Sequence, residues 1–81
     1  MTVTVRFFAF LRDVTGTEAC RVSVTPGASG LAVRQQLIER YPGLDGLTSC
    51  CRLAVNCEYQ PWAAPVADGD ELALIPPVSG G

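Results

Sequence analysis

Between Val3 and Ala9 the chain alternates without a break: Val3, Val5, Phe7 and Ala9 fall on one side, and Thr4, Arg6 and Phe8 on the other. A period of two carried by β-branched and aromatic residues predicts a strand with one buried face. Asp13 to Gly16 reads as a turn. "TEACRVSV" then alternates again, setting Ala19, Arg21 and Ser23 against Cys20, Val22 and Val24. The two runs predict a hairpin, closed by Thr25 to Gly27.

The period then changes. Val33, Leu37 and Tyr41 recur every fourth residue, Ile38 widens the stripe, and Arg34, Gln35, Gln36 and Glu39 lie outside it. This is the pattern of an amphipathic helix, with Ser29 as N-cap and Pro42-Gly43 as its stop. Leu44 to Cys50 shows no period. "RLAVN" predicts a short strand, and "CEYQPW" a weaker one at an edge, because Pro61 has no N–H for a ladder. "ADGDE", Ala67 to Glu71, is a turn by its Asp-Gly chemistry. "ELALI" is a last strand with Leu72 and Leu74 inward and Ala73 and Ile75 outward. The order is strand, strand, helix, strand, weak strand, strand. One helix covers one face of such a sheet, and the other face meets solvent or a partner.

Composition narrows the picture. The 81 residues are 48% hydrophobic, too apolar for a disordered segment, yet a chain this short buries only about 60–65% of its unfolded surface. No apolar run is long enough to span a membrane. The N-terminus lacks the charged leader and apolar stretch of a signal peptide, so a cytoplasmic location is expected. The net charge is −2, and the six cations, all arginines, form no basic patch of the kind nucleic acid requires. There is no lysine, so no side-chain amine is available for acylation.

Candidate chemistry is sparse. There is no histidine. The cysteines Cys20, Cys50, Cys51 and Cys57 lack the paired spacing of a zinc site, and they read as small apolar fillers; no metal is expected. Asp68, Asp70 and Glu71 read as solvated turn carboxylates, and Ser79 has no evident base. Catalysis by this chain alone is not expected. The C-terminal "PPVSGG" is distinctive. Pro76 and Pro77 keep the chain extended, and six residues reach roughly 20 Å. Gly80 and Gly81 have no Cβ and can thread a narrow passage. The sequence thus divides into a folded unit, residues 1–75, and a flexible tail, 76–81, that carries its own carboxylate.

With "VRFFAFLRD", "AVN" and "DGDELALIPPVSGG", the chain resembles the small, sulfur-carrier subunits of molybdopterin synthase over essentially its whole length. The resemblance implies an α+β, ubiquitin-like β-grasp fold, a mixed sheet with one main helix packed on one face. It implies a chain that binds no cofactor of its own. A ubiquitin-activating-like enzyme uses ATP to adenylate the Gly81 carboxylate, and a sulfur donor such as a cysteine desulfurase system supplies the sulfur that makes it a thiocarboxylate. That group, on a stalk of Pro76, Pro77, Val78, Ser79 and Gly80, enters the large synthase subunit of a heterotetramer. There it donates sulfur to cyclic pyranopterin monophosphate to build the molybdopterin dithiolene. Neither nucleic acid nor membrane is an expected partner.

Phe8, Ile75 and Tyr59 project from the sheet side that the helix leaves uncovered, where large apolar groups signal an interface; Arg12 adds a polar contact at its rim. Members of the family often carry glycine after "VN", where this chain has Cys57, which predicts an altered turn there. Three other readings stand beside this one: a sulfur carrier for thiamine, cysteine or tRNA thiolation, a ubiquitin-like protein modifier, and a plain interaction module.

Overall fold

The computed structural model describes residues 1–77. Its elements are β1 (Thr2–Phe7), α1 (Phe10–Thr15), β2 (Ala19–Ser23), α2 (Gly30–Arg40), two single 3₁₀ turns at Pro42–Leu44 and Thr48–Cys50, then β3 (Arg52–Val55), β4 (Glu58–Gln60) and β5 (Glu71–Ile75). The strands form one sheet in the order β2-β1-β5-β3-β4. β1 and β5 run parallel at its centre, and all other neighbours are antiparallel. The mixed sheet and single long helix are those expected.

Alternation decides which side of the sheet is dry. Val3, Val5 and Phe7 of β1, Val22 of β2, Leu53 of β3, and Leu72 and Leu74 of β5 are buried together. Val33 and Leu37 of α2 complete that layer from above. Tyr41 follows the helix and packs edge-on to Phe7, with ring centres 5.9 Å apart. Each of the larger core side chains contributes about 1.5–3 kcal/mol by leaving water.

Several local expectations are corrected. Ala9 does not extend the first strand: it is exposed, with φ 53°, and turns the chain into α1. The presumed turn at Asp13 to Gly16 is the end of that helix, whose Leu11 is fully buried. β1 and β2 keep the antiparallel pairing of a hairpin, but a helix stands in their connection in place of a tight turn. Ser29 occupies the N-cap position of α2, yet its side chain makes no capping hydrogen bond. The aperiodic stretch from Leu44 to Cys50 is ordered by two 3₁₀ turns, which bury Leu44 and Thr48. Short turns of this kind have no face long enough to show a period.

Candidate functional site

The face away from α2 is built by register. β3 pairs with β5 so that Arg52 opposes Ile75, Leu53 opposes Leu74 and Ala54 opposes Ala73. With the leucines turned to the core, Ala54, Ala73 and Ile75 fall on the open face. Tyr59 of β4 stands opposite Ala54 and joins them. Two small side chains at the centre with Phe8, Tyr59 and Ile75 around them leave a shallow apolar trough of about 290 Å³. Phe8 and Tyr59 are 46% and 55% exposed, far more than their size warrants in an isolated domain.

The trough has a charged rim. Arg6 Nε lies 3.0 Å from Glu71 Oε1, and both side chains are half exposed. The Arg52 guanidinium sits 3.8 Å from the centre of the Tyr59 ring, a cation–π contact that restricts the ring.

The structure therefore gathers Phe8, Tyr59 and Ile75, as the sequence predicted. Arg12 is not among the residues lining the trough: it lies on α1, where Nη1 is 3.7 Å from Glu18 Oε1. Alternation places Ala73 outward, but that it forms a floor with Ala54 carries no signal until the strand register is known. Phe10, 45% exposed on α1, is a further apolar group that the reading overlooked.

The last strand ends at this face, since Ile75 lines the trough. β5 is the middle strand of the sheet and ends at Ile75 beside the trough; Pro76 is half-buried and Pro77 exposed. Val78, Ser79, Gly80 and Gly81 lie outside the described residues.

The turn between β3 and β4 borders the trough through Cys57. Asn56 and Cys57 both hold positive φ, 50° and 70°, the pair of left-handed residues that a two-residue hairpin needs. Asn56 is held there by its bonds. Its backbone N–H donates to the Glu71 carbonyl at 2.8 Å, its Nδ2 donates to Asp70 Oδ1 at 2.9 Å, and its Oδ1 accepts the Glu71 N–H at 3.0 Å. Those contacts clamp the turn to the start of β5, so Cys57 is carried along in a conformation that suits glycine. Asp68 and Asp70 are also more than solvated carboxylates. They accept the backbone N–H groups of Thr2 and Ala67, at 2.8 and 2.7 Å, and fix the turn before β5.

Among the described residues no group of three or more His, Cys, Asp or Glu is placed to hold a metal ion. No helix there is long and apolar enough to cross a membrane. Cys50 and Cys57 are exposed, whereas Cys51 is buried and its thiol donates to the Leu47 carbonyl at 3.4 Å. Burial pushes the Cys51 thiol above its ordinary value, and the neighbouring Cys50 adds to the shift. Burial also raises Cys20, partly offset by the Arg40 charge and by hydrogen bonds to Tyr41 and Arg40.

A two-layer domain with parallel central strands, an antiparallel partner on each side and one long helix across a single face is the ubiquitin-like β-grasp. Within that class the chain belongs to the ThiS family, whose model matches residues 5–81. It is 37% identical over 79 residues to the molybdopterin synthase sulfur carrier subunit of Arabidopsis thaliana, spanning 98% of this chain and 82% of the relative. The crystal structure of small archaeal modifier protein 1 from Haloferax volcanii superposes with a TM-score of 0.91 at 30% identity, covering 100% of both chains. A chain from the complex of subunits 1 and 2 of molybdopterin-converting factor of Helicobacter pylori superposes at TM-score 0.67 and 29% identity, again over 100% of both.

Proposed function

We propose that this chain is the sulfur-carrier subunit of a molybdopterin synthase, working in the cytoplasm. The observation that carries the reading is the exit of the central strand β5 beside an exposed apolar trough. A partner seated on Phe8, Tyr59 and Ile75 receives the segment from Pro76 to Gly81 without any rearrangement of the sheet. Full-length likeness to sulfur carrier subunits supports the same reading, as does likeness to a chain solved in complex with a second subunit.

The chemistry follows from what a carboxylate lacks. It is a poor electrophile, so an adenylating enzyme spends ATP to form an acyl-adenylate at Gly81 and releases pyrophosphate. The terminal sulfur of a persulfide displaces AMP to give an acyl disulfide. A thiol then cleaves its S–S bond, leaving on Gly81 a thiocarboxylate, an anionic soft nucleophile, and releasing a disulfide. In the large subunit this group transfers its sulfur to cyclic pyranopterin monophosphate. This chain supplies the stalk and the docking face, holds no cofactor, and leaves the catalytic side chains to its partners.

A second reading is favoured by the TM-score of 0.91 to a small archaeal modifier protein: Gly81 is joined to an amine of a target protein. Mass spectrometry of the C-terminal peptide separates the two, after incubation with ATP, a sulfur donor and the adenylating enzyme. Replacement of one oxygen by sulfur at Gly81, followed by pterin conversion with the large subunit, is the expected result. Recovery of Gly81 linked to lysine, or as unchanged carboxylate with an enzyme active on other carriers, overturns the proposal.

A further inference from the structure

β2 is an outer strand of the sheet, and outer strands invite pairing with another chain. Its pairing with β1 fixes which groups face outward. The Phe7 N–H donates to the Glu18 carbonyl and the Val24 N–H to the Met1 carbonyl, so the residues opposite Thr2, Thr4 and Arg6 turn their backbone groups away from the sheet. Those residues are Ser23, Arg21 and Ala19.

All three of the outward carbonyls are already taken by side chains. Gln36 Nε2 donates to the Ser23 carbonyl at 2.7 Å. Arg40 Nη1 donates to the Arg21 carbonyl at 2.9 Å. Thr17 Oγ1 donates to the Ala19 carbonyl at 3.0 Å. Gln36 and Arg40 are one turn apart on α2, a rise of about 6 Å, while Ser23 and Arg21 are two residues apart on β2, about 6.8 Å. The helix runs back along the strand with donors spaced to match the carbonyls. The opposite edge is blunted differently, since β4 has three residues and Pro61 after it has no N–H to offer.

We infer that α2 serves as a guard on the β2 edge, its Gln36 and Arg40 side chains keeping the chain from pairing, strand to strand, with a second copy of itself. An incoming strand finds its acceptors occupied and must displace a neutral and a charged donor before it gains a ladder. A chain with an exposed apolar trough has particular need of this, since edge pairing between two copies joins their sheets and builds larger assemblies. The inference does not depend on the proposed function.

The test is self-association of the full chain carrying Gln36→Met and Arg40→Met, which keep helix-favouring side chains of similar length and remove the donors. Light scattering over a concentration series gives the oligomeric state, and hydrogen exchange gives the backbone site. The wild-type chain is expected to remain monomeric, with exchange at Ala19, Arg21 and Ser23 independent of concentration. The double variant is expected to associate at least tenfold more tightly, roughly the effect of freeing two hydrogen-bonded carbonyls, with protection at Arg21 and Ser23 that grows with concentration. A folded double variant that stays monomeric with unchanged exchange overturns the inference, as does wild-type pairing through β2. Should the double variant not fold, the single variants carry the same test, each with an intermediate effect.

Discussion

Ala54 and Ala73 face each other across the β3–β5 ladder, and their two methyl groups are the floor of an apolar hollow on the open side of the sheet. Any larger residue at either position makes that floor level with its walls. The trough is therefore a consequence of register as much as of composition, and its shape can be changed without touching the core on the other side.

Ala73→Leu fills the trough from below. The added side chain meets no core atom, because Ala73 points away from Leu72 and Leu74, so the unfolding midpoint is expected to move little. Binding to the large subunit is expected to weaken by about 1–3 kcal/mol, the usual cost of overpacking a fitted surface. Titration calorimetry with the purified subunit measures it. Unchanged affinity places the partner elsewhere.

Phe8→Ala tests the wall. The ring is 46% exposed in the isolated chain, so its removal costs the monomer little. A partner that covers the remaining surface loses about 1.5 kcal/mol or more, roughly tenfold in Kd. Arg12→Ala, by contrast, is expected to leave affinity within about twofold, because an exposed ion pair such as Arg12–Glu18 contributes little. Measuring both variants against the same subunit separates the trough from the α1 surface.

The elements that were legible from the sequence are those in which one period persists. Val3 to Phe7, Cys20 to Val24 and Leu72 to Ile75 alternate because each strand buries one face, and the α2 stripe of Val33 and Leu37 shows the helical repeat for the same reason. α1 was not legible: Leu11 is its one buried residue, and the alternation that starts at Val3 runs on through Phe8 to Ala9, directly before it. Thr48 is buried, and polarity concealed it. Phe8, Tyr59 and Ile75 could be assigned to the open side by alternation alone. The floor between them, and the Arg6–Glu71 pair on the rim, required the pairing of segments far apart in sequence.

The Asn56-Cys57 turn stores strain at one position only. Asn56 tolerates positive φ and makes three hydrogen bonds to Asp70 and Glu71, whereas Cys57 holds φ 70° with its side chain exposed to solvent. Cys57→Gly is expected to stabilise the chain by about 0.5–1 kcal/mol. Asn56→Ala is expected to cost about 1–3 kcal/mol, through lost bonds and a poorer left-handed residue. Urea unfolding of the two variants reads both signs, and a destabilised Cys57→Gly contradicts this account of the turn.

Gly30 opens α2 against Leu53 of β3 and the segment that follows β4. A Cβ there would lie 2.6 Å from Leu53 Cδ2 and 2.9 Å from the Trp62 carbonyl oxygen. That carbonyl cannot easily move, because it accepts the Leu31 N–H at 2.9 Å. Gly30→Ala is therefore expected to destabilise by about 1–3 kcal/mol, despite alanine's better helix propensity of about 1 kcal/mol. A variant as stable as the parent in urea would show that the start of α2 shifts freely.

The thiols give a pH dependence with a definite sign. Burial raises Cys51 and Cys20 above the ordinary value of 9.0 in the folded chain. A thiol whose folded pKa lies above its unfolded one favours folding while it is protonated, so this contribution is complete below about pH 9 and is lost as pH rises through the folded values. Ionising Cys51 also removes the S–H donor to Leu47. Unfolding free energy is thus expected to fall as pH rises above the ordinary thiol value of 9.0 and to level off once the folded-state thiols have ionised. Cys51→Ala and Cys20→Ala together are expected to flatten that fall, at some cost in stability at neutral pH. In parallel, a thiol reagent at pH 8 is expected to modify the exposed Cys50 and Cys57 quickly, the half-buried Cys20 more slowly and the buried Cys51 only as the chain opens. Rapid labelling of all four cysteines under native conditions would contradict the burial on which the pH argument rests.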